Sequence, residues 1–129
     1  MSVSVGGIAA VGFGAAVGAW ARWGLSLVLN PVFPTVPLGT LAANLVGGFL
    51  MGVCMALISH YEAMSPELRL LLTTGFLGGL TTFSTYSAEV VTLLEHGEYG
   101  WAGATASAHL LGSLALTAAG IAFVKLVLR

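Results

Sequence analysis

Apolar residues run almost unbroken through four stretches of this chain, at about residues 5–29, 37–59, 66–94 and 100–124. At a rise of about 1.5 Å per residue, each is long enough to cross a hydrocarbon core of about 30 Å. The breaks between them are short. Asn30-Pro31 and the segment from Pro34 to Pro37 end the first stretch, because proline lacks a backbone donor and restrains the residue before it. In "SHYEAMSPELR", Ser65 followed by Pro66 and Glu67 has the form of an N-cap, a first helical proline and an acid that complements the helix dipole. "EHGEYG", residues 95–100, turns the chain into the last stretch, whose Lys125 and Arg129 are placed to snorkel to an interface. The pattern predicts an all-α membrane protein of four transmembrane helices, a single integral membrane domain over residues 1–129 with no linker.

Inside the apolar runs, the departures carry the information. Gly14 and Gly18, Gly48 and Gly52, and Gly75 and Gly79 are each four residues apart and so share a helix face, where they let backbones approach closely in lipid. Polar residues are also aligned. Thr105, His109, Ser113 and Thr117 form a stripe along the last helix, Asn44 continues the Thr40, Gly48, Gly52 face, and Arg22 and Ser26 continue the Gly14, Gly18 face. A lone Ser or Thr in a span commonly bonds to its own helix carbonyl, but a stripe of four points to a packed polar seam or a wet path. Asn44 suits interhelical bonding and substrate contact equally, and Arg22 suits either snorkelling or attraction of an anion. His109 has no second His, Cys or acid at ligand spacing, so it reads as an interior hydrogen-bonding group without a metal.

The third stretch is the most unusual. "GFLGGLTTFSTYSAE", residues 75–89, holds five Ser or Thr hydroxyls within residues 81–87 beside paired glycines. Counting from Pro66, its centre falls near Leu80, while Glu89 lies about 35 Å along, towards the far interface. Gly78 to Thr82 can therefore unwind at mid-membrane, which is tolerated only where backbone is buried in protein or lines a cavity, and the freed carbonyls form a cation site. Phe83 and Tyr86 follow, three residues apart. Aromatic rings in spans usually pack, yet rings turned edge-on to a polar track can hold a small anion weakly enough to let it pass.

Composition and charge narrow the choice. Only 7% of the 129 residues are charged and 57% are hydrophobic, against roughly 25% charged in ordinary soluble domains, and the net charge is −1. There is no basic face for nucleic acid. Cys54 is the only cysteine, which excludes an internal disulfide and a thiolate cluster. No Lys or Arg precedes the first stretch, so it lacks the basic region of a cleaved signal and is kept as structure. Arg22, Arg69, Lys125 and Arg129 give a weak positive-inside bias, which leaves insertion in both orientations open. Two copies in opposite orientations would bring their mid-depth breaks together. No nucleophile and base pair, metal cluster or phosphate loop marks an enzyme.

Four segments together resemble one family, the Fluc (CrcB) fluoride channels: "GAWARW" at 18–23, "PLGTLAANLVGGFLMG" at 37–52, "TTGFLGGLTTFSTYSAE" at 73–89 and "LLGSLALTA" at 110–118. The resemblance covers nearly the whole chain. It implies a four-span subunit with its third helix broken at mid-membrane, pairing as an antiparallel dual-topology homodimer in the lipid bilayer of the inner (plasma) membrane. It implies two fluoride-selective pores and a central structural sodium ion held by the backbone carbonyls of Gly78 and Thr81 from both subunits. Phe83 and Tyr86 would line the fluoride path, with Asn44 close to it, Arg22 near a vestibule, and Ser84, Thr85, Ser113 and Thr117 matching a polar track. Two positions depart from the pattern: Tyr86 stands where phenylalanine is usual, and His109 stands on the path's stripe where a small polar side chain or an amide is expected. The expected function is passive fluoride export. The alternative, a four-span proton-coupled exporter of cationic compounds, needs a carboxylate deep in a span, and the only acid beyond the first turn of one is Glu89, near an interface.

Overall fold

The computed structural model describes residues 3–129, and the described chain is helical throughout its length apart from short connections. Helix α1 is Val5–Leu29 and α2 is Leu38–His60, joined through a 3-10 turn, Asn30–Val32. Helix α3 covers residues 66–80 in three parts: an α-helical turn Pro66–Leu70, a π-helical stretch Leu71–Leu77 and a final turn Gly78–Leu80. Helix α4 is Phe83–Glu95 and α5 is Tyr99–Val127. Ser65 caps α3 by accepting from the Leu68 N–H at 3.1 Å, and Gly97, at φ 73°, takes the left-handed conformation that turns α4 into α5.

Three segments, Val5–Val32, Leu38–His60 and Tyr99–Val127, are each long and apolar enough to cross a membrane. The chain is a multi-pass membrane protein. Its outward surface agrees with a lipid solvent, since Phe13, Trp20, Trp23, Leu27, Leu111 and Leu126 are each more than half exposed. The tightly buried apolar core is small, formed by Ala43, Leu77 and Leu80 with Leu25, Leu50 and Phe76 against them.

Glycines set how closely the helices pack. A Cβ on Gly18 would stand 2.7 Å from the Leu80 backbone N, and one on Gly120 would stand 2.9 Å from that of Val53. Side chains at either site would drive α1 from α3, or α5 from α2, so these pairs meet backbone to backbone. The α2–α5 pair runs parallel in a constant register. Asn44 meets His109, Gly48 meets Ser113, and Gly52 meets Thr117, an offset of 65 residues in each case. That register places the polar stripe of α5 against the Thr40, Asn44, Gly48 face of α2, and it places a groove alongside the end of α3.

Candidate functional site

Between α3 and α4 the helix stops for two residues. Thr81 (φ −91°, ψ 157°) and Thr82 (φ −151°, ψ 120°) are extended. In an unbroken helix the Thr82 N–H would donate to Gly78 O and the Thr85 N–H to Thr81 O. Here the Thr82 N–H donates to Asn44 Oδ1 at 2.8 Å, and the Thr85 N–H donates to the Thr82 hydroxyl oxygen at 3.2 Å, which caps α4. The carbonyls of Gly78 and Thr81 have thus lost their helical donors. Neighbouring side chains satisfy two others: Asn44 Nδ2 donates to Thr82 O at 3.0 Å, and Arg22 Nε donates to Gly79 O at 3.1 Å. The Thr81 hydroxyl bonds back to Leu77 O at 2.8 Å and so finishes α3.

A groove of about 380 Å³ opens beside this break. It gathers Asn44, Gly78, Thr81, Phe83, Tyr86, His109, Ser113 and Thr117 from α2, α3, α4 and α5. Three residues singled out from the sequence lie elsewhere. Arg22 sits behind the break on α1, bonded to it, and Ser84 is exposed on the first turn of α4, 3.4 Å from the Thr82 hydroxyl. Thr85 lines a separate hollow with Glu89, Pro37 and His96.

The aromatic groups are packed against one another at the groove. Phe83 and Tyr86 meet edge to face, centroids 5.5 Å apart at 81°, while Tyr86 stacks on the His109 ring at 4.4 Å and 24°. The phenol at position 86 donates to Ala106 O at 3.0 Å. The hydroxyl is therefore tied to α5. Phe83, by contrast, is 78% exposed on the isolated chain, at the outer edge of the groove.

The α5 stripe is bonded along its own helix. The Ser113 hydroxyl donates to His109 O, and the Thr117 hydroxyl is within 2.9 Å of both Ser113 O and Gly48 O. The groove thus meets hydroxyl oxygens whose protons point at carbonyls. Further along, Thr40 and Thr105 are each 1% exposed, and the Glu89 carboxylate lies beside Thr40. Glu89 Oε1, Thr105 Oγ1 and His109 Nε2 are buried polar atoms without a partner among the described residues. Sequence reasoning placed Glu89 towards an interface and did not connect it with Thr40; it also treated Thr82 as part of the break without seeing it as the anchor of Asn44. The signal for the second was present in the amide's capacity to donate and accept at once.

A multi-pass helical membrane protein whose polar residues converge on a broken helix defines the class. The chain belongs to the family described as CrcB-like protein, Camphor Resistance (CrcB), which matches residues 9–121. Three relatives bear the name "Fluoride-specific ion channel FluC". The one from Aromatoleum aromaticum is 61% identical over 113 residues, covering 88% of this chain and 86% of its own. The one from Pseudomonas putida (strain W619) is 58% identical over 113 residues, covering 88% and 89%, and the one from Nitrosospira multiformis is 56% identical over 118 residues, covering 92% of each. The protein is a multi-pass component of the inner membrane.

Proposed function

We propose that the protein is a fluoride-specific channel that lets the ion leave the cytoplasm passively. The observation that carries this reading is the groove in which Phe83, Tyr86, Asn44, Ser113 and Thr117 converge beside the helix break, in a chain more than half identical to proteins named fluoride-specific channels. Such a channel transports an ion and performs no covalent chemistry. In this reading residues 66–95 form the third of four spans, with Thr81 and Thr82 near mid-membrane.

Fluoride is small and strongly hydrated, so a path must replace its water with donors without holding it too firmly. The positive edges of the Phe83 and Tyr86 rings do this weakly. The Ser113 and Thr117 hydroxyls do it when they rotate from their carbonyl acceptors to the ion, exchanging a neutral hydrogen bond for a charge-assisted one. Asn44 is held rigid by Thr82 and stands beside the path. Arg22, Ser84 and Thr85 act around the entrance and the break rather than in the groove.

The functional unit in this reading is an antiparallel dual-topology homodimer. Its support is incompleteness of the single chain: Phe83 is 78% exposed, Leu110 57% and Leu114 62%, all on the groove, so one copy leaves one wall open. A second copy closes it. The Gly78 and Thr81 carbonyls, stripped of their helical donors, are hard oxygen ligands of the kind a sodium ion accepts, and one pair from each copy would hold it at the dimer centre. The ion would neutralise the partial charges of the converging carbonyls and fix the broken segments together.

The test is fluoride release from liposomes containing the purified protein, with chloride in parallel. Fluoride release far above chloride release is expected; equal passage of both, or of neither, removes the proposal. A Phe83→Ile protein that forms the dimer yet releases fluoride at the parent rate would remove the role given to that ring.

A further inference from the structure

The groove contains one fixed hydrogen-bond pattern that determines the protonation of a histidine. The Thr82 backbone N–H can only donate, so the Asn44 atom 2.8 Å from it must be the carbonyl oxygen. The Asn44 amide nitrogen then faces two atoms, Thr82 O at 3.0 Å and His109 Nδ1 at 2.9 Å. One of its two hydrogens serves each. His109 Nδ1 must therefore accept, and a neutral imidazole that accepts at Nδ1 carries its proton on Nε2.

We infer that His109 is a positioning residue, whose Nδ1 lone pair holds the Asn44 amide in the orientation that bridges Thr82 and so keeps the helix break in its conducting shape. His109 is 3% exposed, its ring is stacked on Tyr86, and Asn44 is its hydrogen-bond partner on α2. Turning the amide over to suit a proton on Nδ1 would set the Asn44 amino group against the Thr82 N–H, two donors face to face. The bridge and an Nδ1 proton are mutually exclusive. The role extends to Tyr86, whose ring lies between His109 and Phe83. This inference rests on the channel reading for its effect on flux, but not for the tautomer.

The helices packed against α5 carry few other titratable groups near this point. On α4 these are Tyr86, stacked on the ring, Glu89, beside Thr40, and Glu95 near the helix end; on α2, Cys54 and His60 lie ten or more residues beyond Asn44. On α5 itself, Tyr99 and Lys125 are near its ends.

Nitrogen-15 NMR of histidine-labelled protein in bilayers, with a His109→Gln sample separating this residue's signals from those of His60 and His96, reads the tautomer directly. At about pH 7 the parent should show His109 protonated on Nε2 and bare at Nδ1. In Asn44→Asp the atom facing Nδ1 is an oxygen, and the proton should move to Nδ1. Fluoride release supplies the second arm. His109→Gln keeps an acceptor for Asn44 and should run within about twofold of the parent, while His109→Phe keeps a stacking ring but strands the amide, and should be slower by about tenfold or more. An Nδ1–H tautomer in the parent, or a folded His109→Phe protein as fast as His109→Gln, overturns the inference. If the parent releases no fluoride at all, the channel reading falls, and the tautomer exchange in Asn44→Asp still decides this one.

Discussion

Asn44 and Tyr86 show how single side chains reconcile polarity with an apolar setting. The Asn44 amide uses its oxygen and both amino hydrogens, on Thr82 and His109. Asn44→Ala would leave the Thr82 N–H and the His109 Nδ1 unpaired together, and would take from the Thr82 carbonyl the donor it has besides its own helix. At about 1–3 kcal/mol for each stranded buried group, the loss should exceed that of an ordinary core truncation, visible as a lower melting temperature in detergent. Tyr86 is less demanding. Its ring carries the contacts with Phe83 and His109, whereas its hydroxyl makes one bond, to Ala106 O. Tyr86→Phe should cost about 1 kcal/mol of stability, and leave fluoride release within about twofold of the parent. A large rise or fall in flux would show that the phenol itself shapes the path.

The break between α3 and α4 is held from three directions: Asn44 from α2, Arg22 from α1, and the Thr82 hydroxyl from within. Removing the last, in Thr82→Ala, deletes the N-cap of α4 and should destabilise by about 1 kcal/mol, while Thr82→Ser should restore most of that loss. The close helix pairs tolerate change least. Gly120→Leu on α5 would push a side chain into the backbone of α2 at Phe49 and Val53, and separate Asn44 from His109 along the same interface. We expect loss of folded protein on size-exclusion chromatography, whereas Gly103→Ala, where a Cβ meets nothing within 4 Å, should be silent.

At the scale of the whole molecule, the open wall of the groove and the carbonyls of Gly78 and Thr81 make the same prediction. A dual-topology dimer should expose one site on both sides of the membrane. In a Cys54→Ser background, Glu98→Cys on the α4–α5 turn should react with an impermeant maleimide to about one half from outside sealed vesicles, and completely after lysis, the equal division that two opposed orientations require. Complete or absent external labelling would mean one orientation. Replacing sodium by a bulky organic cation should lower thermal stability and dimer content, since carbonyls brought together without a cation repel.

Helical class, membrane character and the family were legible in the sequence because they depend on local properties. A long apolar run needs no partner to identify it, and Ser65-Pro66-Glu67 or the glycine at position 97 act on their own backbone. Composition also marked the aligned polar stripe on α5 and the unusual hydroxyls after Gly79. The identity of partners was not legible in that way. That Asn44 would grip Thr82, that Tyr86 would bond to Ala106, and that Arg22 would meet Gly79 depends on how three other helices sit, and hydrogen bonds between residues 20 to 57 positions apart leave no periodic trace. The same holds for His109. Helical spacing alone puts it on a stripe, but only the 65-residue register between α2 and α5 sets an amide donor against its ring, the contact from which the proton's position is inferred.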